Sequence, residues 1–179
     1  MGVRQRGRTS GARVVDSVRE TIYHRATARS VSLTEEQHVR LDQDLVDAAR
    51  GLLERRFPGE EGIAAAMYTE DGAVLTSVFF EPEWGSGMLC AETGAICEAE
   101  KLGKRVTASV CVSRLSGEDP VLILTPCGIC QERLFHWGPD LEVAVPDPMD
   151  STRWMAKTLN DVQPYYWVNA FDRGQDEAG

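Results

Sequence analysis

The sequence predicts an α/β domain, a mixed sheet with helices packed on its faces, and three observations lead there. Segments with helical and strand-like apolar spacing follow one another in the order α-β-β-α-β-α-β-α. Glu70-Asp71-Gly72 separates two apolar runs, a good signal for a hairpin and so for an antiparallel pair. The chain has 179 residues, enough for one full core, and its 42% hydrophobic and 26% charged residues are a globular balance.

Taken in order, Thr34 to Arg56 reads as a helix. Thr34 with Gln37 fits a capping box, and Val39, Leu41, Leu45, Val46, Ala49, Leu52 and Leu53 recur on helical spacing until Phe57-Pro58-Gly59. A weaker helix spans Val14 to Tyr23. Ile63–Tyr68 and Ala73–Phe80 are the two arms of the hairpin. Leu89 to Leu102 reads as a helix with Ala91, Ala95, Ile96, Ala99 and Leu102 on one side and Gly103 as its stop. Val106–Val112, short and β-branched, is a strand. Val121–Leu124 is an apolar approach to Thr125-Pro126, and Gly128 to Trp137 a helix ended by Gly138-Pro139. Leu141–Val145 is a strand, and Ser151 to Asn160 reads as a closing helix capped by Asp150 or Ser151.

Charge divides the chain. Residues 1–30 carry seven Arg against Asp16 and Glu20, while the whole chain has a net charge of −9, which leaves the remainder near −14. An acidic body disfavours nucleic acid as the main partner and favours small or cationic ligands. Residues 1–33 are read as a basic N-terminal extension, 34–171 as the functional domain and 172–179 as an acidic tail. No apolar run approaches the roughly 20 residues of a membrane span. The opening residues lack the apolar stretch of a signal peptide, so the expectation is cytoplasmic residence without membrane contact. Five cysteines in that setting read as thiols or metal ligands, not as a disulfide framework. Cys97 and Cys111 are expected to be small buried hydrophobes.

Thr125 to Phe135, TPCGICQERLF, concentrates the chemistry. Cys127 and Cys130 at a helix start fit a redox pair, half of a structural zinc site, or part of a catalytic metal centre. A thioredoxin-type motif normally follows the first strand of its fold, and here two other helices come first. A closed structural site needs four ligands, and Cys90, Cys127 and Cys130 supply three. His136 is the nearest fourth, but on one helix it lies about 600° of rotation and some 9 Å beyond Cys130, on another face. His24 and His38 have no metal-like spacing. Three thiolates with one open position is the arrangement of a catalytic zinc. Glu92, two residues from Cys90 at a helix start, is placed to take a proton from water at that position and pass it on.

Cys90-Ala91-Glu92 followed 34 residues later by PCGIC resembles the signature of zinc-dependent cytidine deaminases and their relatives, the blasticidin S deaminases. The resemblance extends over roughly Leu45 to Trp167 and is sharp in CAETGAICEAEKL and in Thr125–Phe135. It implies a three-layer α-β-α fold, Zn2+ on Cys90, Cys127 and Cys130, and Glu92 as proton shuttle. The implied reaction is hydrolytic: water activated by zinc attacks C4 of a cytosine-like ring, and ammonia leaves. The resemblance also implies that Ala91 and the Thr125 carbonyl meet the ring edge and the leaving amine. It makes Trp167, in PYYWVNAF, the residue that closes the pocket, and it implies a homotetramer or homodimer.

The departures from that family are specific. Many members follow CAE with Arg, which offsets the net negative charge of zinc with three thiolates. This chain has Thr93 there, and Ile129 and Gln131 where Arg is frequent, so that Arg133 is the nearest downstream cation. The ribose-binding Asn-x-Glu of cytidine deaminases aligns with Phe79-Phe80-Glu81, which keeps the Glu and loses the Asn. Glu61 aligns with an aromatic that packs on the base. With the acidic, aromatic loop FFEPEWGSG, these changes suit a cationic, flat or bulky ligand such as blasticidin S. Ordinary core or subunit packing is the competing account of Phe79, Phe80 and Trp84, and a solvated charge that of Glu83. The sequence therefore points to deamination of an aminopyrimidine nucleoside or related antibiotic, with plain cytidine second. A weakly active deaminase fold used for binding or assembly, and a redox module, remain the alternatives.

Overall fold

Asp42 sets the first element of the computed structural model, which describes residues 40–169. Its carboxylate accepts the backbone N–H of Leu45 at 3.0 Å and so caps helix α1, Gln43–Arg56. Thr34 and Gln37, the Val14–Tyr23 helix, His24, His38, the basic extension and the acidic tail lie outside the described residues. Strands β1, Gly62–Thr69, and β2, Val74–Val78, form the expected hairpin, with Gly72 at φ 79° in its turn. Helix α2, Glu92–Leu102, ends at Gly103 in the left-handed conformation, φ 65°. Strand β3, Val106–Arg114, β4, Leu122–Leu124, helix α3, Gly128–Leu134, and β5, Glu142–Asp147, follow. A 3-10 turn, Phe135–Trp137, extends α3.

The segment read as a closing helix is a strand. Asp150–Thr158 is β6, antiparallel to β5, and only Leu159–Val162 after it is helical, as α4. Its competing preference was local and weak: Thr152, Trp154 and Thr158 are β-formers, and tertiary partners decided the outcome. Those partners are distant in sequence. Trp154 Nε1 donates to Gln43 Oε1 at 2.8 Å, and Arg50 Nη2 donates to the Thr152 carbonyl at 2.8 Å, both from α1. A smaller correction concerns α2, which begins at Glu92 and not at Leu89. Leu89 exchanges backbone hydrogen bonds with Phe80 at 2.9 and 3.1 Å, which holds it extended.

The sheet runs β2-β1-β3-β5-β6, with β4 also paired to β3. β3 and β5 are parallel and the other pairs antiparallel, so the sheet is mixed as predicted. Alternation along the strands divides two cores. Ala64, Ala66, Ala108, Val110 and Val112 face α1 through Leu45, Val46, Ala49 and Leu53. Met67, Val106 and Val143 face the opposite layer, Ala95 and Ala99 of α2 and Leu134 of α3. No helix among the described residues is long and apolar enough to cross a membrane.

Arg114, 6% exposed at the end of β3, locks the α1–β1 connection. Its guanidinium donates to the carbonyls of Phe57 and Glu60 and to Glu54 Oε1 at 2.7 Å. Arg114→Leu strands two carbonyls and is expected to cost about 2–3 kcal/mol in urea unfolding. A loss below about 0.5 kcal/mol, the range of an ordinary surface change, would show that the clamp carries no stability.

Candidate metal centre and its surroundings

Two connections, one leading into α2 and one into α3, meet on the α2–α3 side of the sheet. Cys90 lies between the Phe80–Leu89 bridge and α2, and its carbonyl accepts the Thr93 N–H at 2.9 Å. Cys127 is the N-cap of α3, and Cys130 sits in that helix's first turn. The three sulfurs lie within 4.8 Å of one another, with Cys90 and Cys127 Sγ 3.4 Å apart. Zinc–sulfur bonds of about 2.3 Å at tetrahedral angles place sulfurs about 3.8 Å apart, so this donor set fits zinc with little movement. Among the described residues no His, Asp or Glu completes the group to four. His136 instead pairs with Glu100 Oε2 at 3.5 Å, in keeping with its expected exclusion.

Electrostatics differ from thiol to thiol. Burial pushes Cys130 well above the ordinary thiol range, aided by the Glu92 and Cys127 charges and by the hydrogen bond from its thiol to the Glu92 carboxylate. Burial also raises Cys90, and its bond to Cys127 adds to the effect. Cys127 is the reverse case: burial would raise it, but the N–H groups of Cys130 and Ile129 and the neighbouring thiols outweigh burial and lower it. Cys111, beneath the cluster, is raised by burial and then by Glu92.

Glu92, the first residue of α2, is 3% exposed. Among the described residues no cationic side chain is bonded to it, and a carboxylate buried this far in that state is uncommon in a merely structural position. Ala91 is buried against Ala65 and Cys111, and Phe79, Ile63 and Leu124 pack around that group, so the fold brings Phe79 to the floor beside Ala91. Thr125 is exposed two residues before Cys127, and Glu81 is exposed just past the Phe80–Leu89 bridge. Phe80 and Trp84 are 54% and 79% exposed, so neither is packed into the core formed by the described residues. At the C-terminal end Tyr166 makes the dock: its ring lies 3.9 Å from that of Phe135, and its hydroxyl donates to Glu132 at 2.9 Å. Trp167 stands beside it, ring centroids 5.8 Å apart, and is half exposed. Cys97 is exposed on α2, contrary to the expectation of burial, while Cys111 is buried as expected.

Three contacts were not legible beforehand. Arg133 Nη1 donates to Thr93 Oγ1 at 2.7 Å, which brings a cation from α3 to the first turn of α2. Gln131 Nε2 donates to the Pro126 carbonyl at 2.8 Å and braces the turn before Cys127. Ser77 of β2 bonds to both Ala91 and Ala95. The departures at 93 and 131 pointed toward the first two, but nothing in the strand pattern marked Ser77.

No protein-family profile matches the chain. A curated blasticidin-S deaminase of Bacillus cereus is 27% identical over 109 residues, 58% of this chain and 78% of that protein. The crystal structure of a cytidine deaminase from Mycobacterium leprae is 25% identical with a TM-score of 0.54, over 70% of this chain and 99% of its own. That of a cytidine deaminase from Bacillus anthracis is 42% identical with a TM-score of 0.68, over 73% of this chain and 92% of its own. Identity of that degree over nearly the whole of another enzyme exceeds what a shared topology requires. The chain belongs to the cytidine deaminase family and is a zinc-dependent hydrolase of that type.

Proposed function

We propose that the protein hydrolyses the exocyclic amine of an aminopyrimidine nucleoside, with Cys90, Cys127 and Cys130 holding zinc and Glu92 carrying protons. The observation that supports it most is the Glu92 carboxylate, 3% exposed and two residues from Cys90, at the edge of a three-sulfur donor set. Zinc, when bound, supplies the Lewis acidity that makes water a nucleophile at neutral pH. Glu92 takes one proton from the attacking water and delivers it to the adjacent ring nitrogen. It then takes the second from the hydroxyl now on the ring carbon and delivers it to the amine, so that the carbonyl forms as the C–N bond breaks and ammonia leaves. Ala91 leaves space for the ring edge, and the Thr125 carbonyl accepts from the amine. Phe79 and Glu81 face the sugar side, and Trp167 closes the pocket. The exposed Phe80 and Trp84 support assembly into a homodimer or homotetramer, and five free thiols support a cytoplasmic setting.

We place modified cytosine nucleosides of the blasticidin S kind first. The 81–88 loop is acidic and aromatic, with Glu81, Glu83 and Trp84 exposed, which suits a cationic tail. The relative from Bacillus anthracis is a cytidine deaminase, and that favours cytidine itself as the second reading. Ultraviolet loss and ammonia release from both compounds separate the two. The first reading expects kcat/KM for blasticidin S at least about tenfold above cytidine, and Phe79→Asn to narrow the gap. A preference for cytidine would establish the second. Stoichiometric zinc with turnover of neither would point to a binding or assembly module.

A further inference from the structure

We propose that Ser77 is a positioning residue for Glu92, its hydroxyl built into the first turn of α2 so that it sets where the carboxylate points. The inference rests on the reading of Glu92 as proton carrier. Helices α1 and α3 close their first turns directly, Val46 N–H to the Asp42 carbonyl at 3.4 Å and Gln131 N–H to the Cys127 carbonyl at 2.9 Å. Helix α2 closes differently. The Ala95 N–H donates to Ser77 Oγ at 2.9 Å, and Ser77 Oγ donates to the Ala91 carbonyl at 2.5 Å. A hydroxyl, with one proton and two lone pairs, can serve both groups at once. It stands where one direct bond would otherwise join Ala91 and Ala95, and it holds the turn open at Glu92.

The arrangement is matched on the helix. Ala91, the N-cap, makes no side-chain capping bond of its own. Gly94 is the residue that lets β2 come close: a Cβ there would lie 2.7 Å from the Ser77 Cβ. The support is rigid, because Ser77 pairs with Ala65 and Ala65 with Cys111, and those two pack against Ala91. Ser77 and Gly94 thus act as a pair, one supplying the bridge and the other the room. A carboxylate that must meet both water and ring nitrogen is sensitive to small rotations of its helix turn, and sub-ångström displacement is costly in such geometry.

Ser77→Ala removes the bridge. Ser77→Gly combined with Gly94→Ala removes it while exchanging one methyl-sized volume for another, so that variant keeps the packing and guards against misfolding. Both are to be compared with wild type and Glu92→Ala for zinc per chain, thermal melting, kcat and KM, and for the visible thiolate band of the cobalt-loaded protein. The expected result is kcat down about tenfold to hundredfold with KM within about twofold, zinc and the cobalt band retained. A kcat within about twofold of wild type in either folded variant, while Glu92→Ala is inactive, would overturn the proposal and leave Glu92 in its role. Loss of zinc or of the cobalt band in the paired variant would shift the role of Ser77 to Cys90 and equally overturn it. Activity surviving in Glu92→Ala would instead remove the reading on which the proposal rests.

Discussion

Glu92→Ala will lower kcat by about 10² to 10⁴-fold and leave zinc at wild-type stoichiometry, the range expected when a single proton carrier is deleted. The residue is 3% exposed, so no bulk water stands ready to replace it. The substitution removes no sulfur ligand, so metal content and turnover should separate. Glu92→Gln keeps the shape and loses the base, and is expected to be as slow as the alanine variant. KM should change far less than kcat, because proton transfer is made in the transition state and not in the ground state. A variant that turns over within tenfold of wild type would remove Glu92 from the mechanism.

Cys130→Ala will abolish turnover, strip zinc and lower the melting temperature. Cys130 is the buried ligand, and its loss leaves Cys90 and Cys127 with two donors and an open cavity. Zinc held at about a thousandfold excess over its Kd stabilises the folded state by about 4 kcal/mol. At about 2–4 °C per kcal/mol for a chain of this size, chelation of the wild type should lower melting by roughly 10 °C. The same chelator should move Cys130→Ala hardly at all. The pH dependence has a definite sign. Burial favours the protonated thiol at Cys130 and Cys90, and zinc must displace those protons, so affinity rises with pH and falls on acidification. An affinity independent of pH between about 6 and 8 would show that the thiols are not the ligands.

Much of this site is readable one residue at a time. Cys90, Glu92, Cys127 and Cys130 declare themselves because metal chemistry constrains residue type and spacing along short segments, and helical rotation alone excluded His136. The fold class followed for the same reason: apolar period is a local property. Helix α1 keeps its predicted end at Arg56 but starts at Gln43, where the Asp42 cap fixes it, with residues 40–42 not helical. β1, β2, β3 and α3 appeared where the period placed them. Asp150–Thr158 did not, because its strand state depends on β5, Gln43 and Arg50, about a hundred residues away for the last two. The contact that brings a cation to Thr93, the position after CAE, had the same character. Thr93 and Arg133 are 40 positions apart, and only the packing of α2 beside α3 brings the guanidinium to the hydroxyl.

The sequence by itself therefore determined the three-sulfur donor set, singled out Glu92 as the candidate proton carrier, and placed most of the helices and strands ahead of the last long segment. Each of these is encoded in residue type over a few positions. Tertiary structure alone decided that the last long segment is a strand, that Cys97 is exposed, that Arg133 serves Thr93, and that Ser77 enters the first turn of α2. These depend on side chains meeting across the sheet and between helices, and chain spacing carries no record of such meetings.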